Sequence, residues 1–418
     1  ATQRQWTIAG DALSKTALSA TLAHARGVHE DLEEAAAVDL LLRAIELRAT
    51  DIHLDPKEES TKVRLRIDGQ LHPLCELSPE VAGRLMTQLK VMSDLDIAQP
   101  FNAQEGRLKL PEALQEHDVR ITTTPVVGGE SVSLRILHRD QLVRPLGTLG
   151  FSEPAMQRVK QLLNHGEGLV LVTGPTGSGK TTTLYSLLDA LDEGRQNIMT
   201  IEDPPEVTMA NYQQVEVDPA HEVSMFEGLR TILRMDPDII MLGEIRDAET
   251  ASAAMRAASS GKYIFSTFHT RDVASVVTAL ADIGVDARSL AGTLRSIISQ
   301  RLIGRLCRFC RGQRELSPRE HELFTAQQME PPTQVATPNG CPRCRNTGYF
   351  GRVGIFEVLA NEPEIEKAIS EKVPEQQLRQ LLREKEIDSL AHDALRKVAD
   401  GTTSLEEAFE VAWVDYED

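Results

Sequence analysis

The sequence predicts an α/β protein with a parallel sheet at its centre, and three observations carry that prediction. Between residues 150 and 300, short β-branched runs alternate with helical segments, the arrangement of a parallel sheet with crossover helices. A glycine-rich loop, Gly174-Pro-Thr-Gly-Ser-Gly-Lys-Thr181, falls directly between an apolar run and a helical one. Before residue 145 the pattern differs: an amphipathic helix is followed by alternating hairpins, which makes a separate N-terminal α+β unit.

The elements follow in chain order. Residues 1–32 are polar and weakly patterned and read as a flexible lead-in or a truncated N-terminal region. From Leu32 to Arg48, Ala36, Leu40, Ala44 and Leu47 recur at helical spacing. In the run from Lys62 to His72, Val63, Leu65 and Ile67 alternate with charged residues ahead of an Asp68-Gly69 turn, which predicts a hairpin. A second hairpin pairs Asp118–Thr123 with Ser131–Leu137. Pairing about its midpoint sets Arg120 opposite Arg135, with Val119, Ile121, Leu134 and Ile136 facing inward. Two cations that close repel, so an anion is expected beside them.

A domain boundary is placed near 140 to 150. Beyond it, strands are predicted at Leu169–Val172, Ile198–Ile201, Ile239–Leu242 and Tyr263–Thr267. Ser224 and Glu227 form a capping box for a helix through Leu233, with Phe226, Leu229 and Leu233 on its buried side. After Gln300 come two cysteine pairs and a helical tail, whose last helix is capped by Ser404 and Glu407.

Composition narrows the function. A chain of 418 residues needs two or three cores. No uninterrupted apolar run approaches the roughly 18 residues that cross a bilayer. The opening Ala-Thr-Gln-Arg-Gln-Trp shows no secretory signal. A formal net charge of −18 argues against a surface that grips nucleic-acid phosphates. Four of the five cysteines fall in Cys-x-x-Cys pairs, which points to metal ligation in a reducing compartment; Cys75 reads as an ordinary buried thiol.

The loop Gly174, Pro175, Thr176, Gly177, Ser178, Gly179, Lys180, Thr181, continuing into Thr182, matches G-x-x-x-x-G-K-[ST] in its required strand-to-helix setting. Its glycines let backbone amides turn onto phosphates, Lys180 supplies a charge for the β and γ groups, and Thr181 can ligate Mg2+. Two acidic runs end neighbouring strands: Asp236 to Glu244, which offers Glu244 to the metal, and Glu202-Asp-Pro-Pro-Glu206, with Glu202 as the second acid. Cys307-Arg-Phe-Cys310 and Cys341-Pro-Arg-Cys344 make a closed thiolate set suited to structural zinc, with a helical excursion between the pairs.

Together these residues resemble the secretion ATPase superfamily, specifically the tetracysteine-containing type II secretion and type IV pilus assembly ATPases. The resemblance covers roughly residues 33–418. It rests on Thr50-Asp-Ile-His-Leu-Asp-Pro56, the phosphate loop, the acidic box at Thr200–Glu206, Gly243-Glu-Ile-Arg-Asp247, Ser266-Thr-Phe-His-Thr270 and the cysteine pairs. Arg271 stands where the family commonly has asparagine, and Lys262 where it often has histidine.

The resemblance implies a RecA-like P-loop core at 146–300, a PAS-like N-terminal α+β domain at 33–145, a tetracysteine zinc segment at 301–352 and a helical region at 353–418. It implies Glu202 as the catalytic carboxylate, Glu244 as the Walker B acid and His269 as a γ-phosphate sensor. Arg230 and Arg234, four apart on one helical face, would point toward the nucleotide, and Arg120 and Arg135 would swing onto the phosphates when domains close. It further implies a cytoplasmic hexamer, peripheral to the inner membrane, using ATP, Mg2+ and structural Zn2+. Its partners would be a polytopic inner-membrane platform protein and other secretion or pilus components, without nucleic acid. The family's first docking domain would be missing or truncated. A RecA-like nucleic-acid translocase and a nucleotide-regulated scaffold without turnover remain the alternatives.

Overall fold

The computed structural model describes residues 35–138 and 142–412, so the lead-in expected over 1–32 lies outside the described residues. The chain divides into two units, residues 1–140 and 141–418.

In the first unit, helix α1 (Ala35–Glu46) buries Ala37, Leu40, Leu41 and Ala44, the i, i+3, i+4, i+7 spacing of a core-facing stripe. Ala36 and Leu47 are only half-buried, so the stripe is turned from the one expected. Strands β1 (Ala49–Pro56), β2 (Thr61–Ile67) and β3 (Gln70–Leu77) follow. β2 and β3 join through Asp68 and Gly69, both left-handed at φ 50° and 92°, the two-residue turn whose twist suits a hairpin. Helix α2 (Pro79–Met92), capped by the Ser78 hydroxyl, leads to β4 (Gln104–Arg107), β5 (His117–Val126) and β6 (Gly129–His138). The sheet order is β3-β2-β1-β6-β5-β4, and every pairing is antiparallel. Val119, Ile121, Leu134 and Ile136 are buried in one core with Leu40 and Leu89 of the helices, and Arg120 pairs directly opposite Arg135.

The second unit begins with α3 (Glu153–Leu163), then β7 (Gly168–Thr173), α4 (Lys180–Leu191), β8 (Ile198–Glu202), β9 (Gln213–Glu216) and α5 (Met225–Ile232). Next come β10 (Ile239–Leu242), α6 (Ala248–Ser259), β11 (Tyr263–Phe268), α7 (Val273–Asp282), α8 (Ala287–Thr293) and β12 (Leu294–Leu306). The chain continues through β13 (Gly312–Glu315), α9 (Pro318–Ala326), β14 (Gln334–Thr337) and β15 (Tyr349–Ala360). It closes with α10 (Pro363–Ser370), α11 (Glu375–Glu384), α12 (Leu390–Ala399) and α13 (Leu405–Ala412).

Its main sheet runs β15-β12-β7-β11-β10-β8-β9. All neighbours are parallel except β12 with β15. Both faces of a parallel sheet are covered, so consecutive residues bury on opposite sides. Leu169 and Leu171 enter the core shared with α5 to α8, α10 and α11, whereas Val170 and Val172 enter the one shared with α3 and α4. Close approach is enforced at Gly228 of α5, where a β-carbon would come within 1.8 Å of Ile201 Cδ1.

Two strands cross the expected boundaries. β12 runs unbroken through 300/301 and β15 through 352/353, so the cysteine segment hangs from the end of the main sheet. Between the cysteine pairs, β13 and β14 pair antiparallel around α9, which adds two strands to the expected helical excursion.

Candidate active site

β7 ends at Thr173, and the loop that follows doubles back to the N-terminus of α4 with Gly177 and Gly179 left-handed at φ 77° and 87°. Gly174 is confined by its neighbours: a β-carbon would lie 2.4 Å from Gln300 O and 2.6 Å from Ser178 Oγ. Gln300 Nε2 donates to Ser178 O at 2.7 Å, pinning the loop's outer limb to β12. Thr182, second in α4 after Lys180, is half-buried. The fit to a phosphate chain is favourable. The Ser178 hydroxyl is buried with no hydrogen-bond partner, and the Lys180 ammonium turns back on its own loop, donating to Gly174 O (2.7 Å) and Pro175 O (3.0 Å). Burial lowers the Lys180 pKa to about 8, against the opposing charge of Glu244 and with Arg301 adding to the depression.

Three side chains converge beyond the ends of β7, β11 and β10. His269, just past β11, stands with Nδ1 3.5 Å from Lys180 Nζ and Nε2 3.4 Å from Glu244 Oε2. An ammonium can only donate, so it selects the tautomer with its proton on Nε2, aimed at Glu244. Glu244 also pairs with Arg246. A cavity of about 370 Å3 opens beside it, lined by Asp203, Val217, Ser224, Met225 and Arg246 among others.

The acidic run after β8 departs from expectation. Glu202, expected to be the catalytic carboxylate, is 4 % exposed. Its Oε1 accepts from Thr200 Oγ1 (2.6 Å) and Gln214 Nε2 (3.0 Å), and its Oε2 from the Tyr185 hydroxyl. Burial and the Glu202 charge push that phenol far above its usual range. Glu206 instead reaches the loop, accepting from Thr181 Oγ1 at 3.3 Å. Strand alternation carries the signal: Glu202 shares its face with Thr200, two residues back, and that face is buried.

The arginines divide. Arg230 is exposed, pairs with Glu227 at 2.9 Å and lies over the Phe226 ring at 5.7 Å. Arg234 lies beyond the helix, because α5 ends at Ile232 and Leu233 caps it. Arg230 and Arg234 therefore do not share one regular helical face. Ser224 does cap α5 through Glu227 N, but the Glu227 carboxylate turns to Arg230, and Ile232 takes the buried place expected for Leu233. In the first unit, Arg135 Nε sits 3.1 Å from Asp51 Oδ1, and Arg120 Nε 3.9 Å from Asp118 Oδ2. Carboxylates of the same sheet are thus the anions these arginines meet.

The four paired cysteines gather at one point, their sulfurs all within 4.8 Å of one another. Bonds of about 2.3 Å to a central zinc place tetrahedral sulfurs about 3.8 Å apart. Three of the separations here are 3.6, 3.7 and 3.9 Å, so the set fits that ion. Amides of Cys341 and Gly348 donate to Cys344 Sγ at 3.1 and 3.3 Å, the kind of outer support that fixes a ligand. Cys75 is half-buried, and burial pushes its thiol up to about 11.

A family model described as Type II/IV secretion system protein matches residues 29–410. The chain is 41 % identical over 373 residues to the "Putative type II secretion system protein E" of Escherichia coli (strain K12), covering 89 % of this chain and 75 % of the relative. It is 39 % identical to the "Type IV pilus assembly ATPase TfpB" of Acinetobacter baylyi, over 90 % of this chain and 64 % of that protein. Among solved structures, the pilus retraction motor PilT with bound ADP superposes with a TM-score of 0.62 at 26 % identity, covering 89 % of this chain and 96 % of its own. The Legionella pneumophila ATPase DotB gives 0.65 at 21 % identity, over 88 % and 93 % of the two chains, and supports the fold.

Proposed function

The chain belongs to the type II/IV secretion system protein family, and from that membership we propose that it is the ATP-hydrolysing motor subunit of a type II secretion or type IV pilus assembly system. In this reading it works as a hexamer at the cytoplasmic face of the inner membrane, against a polytopic platform protein and other components of the system. Among the described residues, no helix is long and apolar enough to cross a membrane.

One observation carries the reading: Lys180, His269 and Glu244 converge within 3.5 Å contacts beside the glycine loop. Incoming ATP would draw Lys180 from the carbonyls of Gly174 and Pro175 onto the β and γ phosphates, while the amides at the start of α4 receive the phosphate oxygens. Thr181 and Glu244 would hold Mg2+, which neutralises charge developing on the transferred phosphoryl group. Glu206, already against Thr181, would orient the attacking water, and Glu202 would support that strand end from within. His269 would couple γ-phosphate occupancy to Glu244. Arg120 and Arg135 would meet the triphosphate on domain closure and leave the diphosphate, which ties the domain angle to hydrolysis. Cys307, Cys310, Cys341 and Cys344 would hold structural Zn2+.

Phosphate release by the purified chain tests this reading. Turnover in the wild type that falls at least about a thousandfold in Lys180→Ala supports it. Wild-type binding without release would instead favour a nucleotide-regulated scaffold, and stimulation by DNA a translocase.

A further inference from the structure

The segment carrying His269 spans only His269 to Asp272, between the end of β11 and the start of α7, and it is clamped at every residue after the histidine. Thr270 N donates to Thr173 Oγ1 at 2.9 Å, and the two threonine hydroxyls meet at 2.8 Å. Arg301 Nη2 of β12 donates to the Arg271 carbonyl at 2.7 Å. Asp272 caps α7 through Ser275 N at 2.9 Å, and Val273 N donates to Glu357 of β15 at 3.3 Å.

One clamp comes from far along the chain. Arg379 of α11 reaches Asp272 with Nη1 and Glu375 with Nη2, and Glu375 in turn accepts from Thr278 of α7 at 3.1 Å. The Asp272 side chain is 16 % exposed, with the buried Glu357 carboxyl close by. Without Arg379, Asp272 would lose the side chain that ties it to Glu375 of α11, and the short segment carrying His269 would lose its outer anchor.

We propose that Arg379 is a positioning residue for His269: by neutralising and holding Asp272, it fixes the segment so that the imidazole spans Lys180 and Glu244. This inference rests on the phosphate-site reading above. Arg379 touches neither nucleotide nor metal in this role. It acts through the histidine, and it makes α11 an element whose position bears on turnover.

The test is a double-mutant cycle in the full chain, measuring kcat, KM for ATP, affinity for a fluorescent ATP analogue and melting temperature. Arg379→Ala lowers kcat about tenfold while nucleotide affinity stays within about twofold, and Arg379→Lys restores most of the rate. Asp272→Asn, which keeps a good helix cap but loses the charge, behaves like Arg379→Ala and replaces it should that variant fail to fold. In a His269→Ala background, either substitution lowers kcat by less than about twofold, because the residue it acts through is gone. Equal losses with and without His269, or unchanged kcat, overturn the positioning role. Failure of the underlying reading looks different, since Lys180→Ala would then retain turnover.

Discussion

The arginine pair of the first unit and the lysine of the glycine loop were both expected to serve phosphate, yet the structure neutralises them differently. Arg135 faces Asp51, which sits opposite it in register on β1, and Arg120 lies near Asp118 of its own strand. Those partners are charged and fixed in the sheet. Lys180 is answered by two carbonyl oxygens of its own loop. A carbonyl dipole yields readily to a triphosphate, whereas an arginine that leaves a carboxylate gives up a charged partner. The lysine is therefore ready for its ligand. Any other anion would have to displace these carboxylates from the arginines.

The largest way to break this contrast is to remove both arginines. Arg120→Ala with Arg135→Ala should lower turnover about a hundredfold while stability changes by only about 1 kcal/mol, since Asp51 keeps Arg66 at 3.8 Å and Asp118 keeps Arg107 at 3.1 Å. Unchanged phosphate release would make them structural pairs only.

Glu357 sharpens the contrast from the opposite side, as a buried acid whose pKa burial raises to about 8 from 4.5, with Asp272 pushing the same way. The folded state then holds a proton the unfolded chain has lost, so stability falls as pH rises from about 4.5 to about 8 and is level above. Glu357→Gln should remove that slope and gain on the order of a few kcal/mol at pH 8.5, read from denaturant midpoints.

Lys180 makes a smaller prediction. Its ammonium is present below about pH 8 and lost above, so apparent nucleotide affinity should weaken above that pH by up to about tenfold per unit. A flat affinity profile from pH 7 to 9 would mean another group binds the phosphates. Smallest is Asp51→Asn, which releases Arg135 and should tighten nucleotide binding about threefold; weakened binding would mean that Asp51 holds the arginine in the right place.

Much of this was legible because the apolar runs were unambiguous. β7, β8, β10 and β11 each bury nearly every residue, and the Arg120 to Arg135 register follows from hairpin symmetry. β12 was not read as a strand, since Ser296, Ser299, Gln300 and Arg301 interrupt its apolar pattern although all four are buried. Their polarity serves tertiary contacts that no local pattern encodes. Glu202 ends its strand in an acidic run and so reads as the second acid, but the inward turn of that strand end buries it and leaves Glu206 against the loop. Arg234 was misplaced because α5 stops two residues before it, which amphipathic spacing alone did not announce.

β12 gives the second unit something like a push-rod. Its Gln300 grips the phosphate loop and its Arg301 the histidine segment, while Cys307 follows directly on its last residue. At about 3.3 Å per residue, only about 23 Å of continuous strand separates Gln300 from that cysteine. Up to Ser299 the strand is hydrogen-bonded on both flanks, and from there to Leu306 its partner is β15, which holds it extended. Displacement of the loop must therefore slide the whole rail or break the Gln300 grip, and sliding would carry the cysteine knuckle with it.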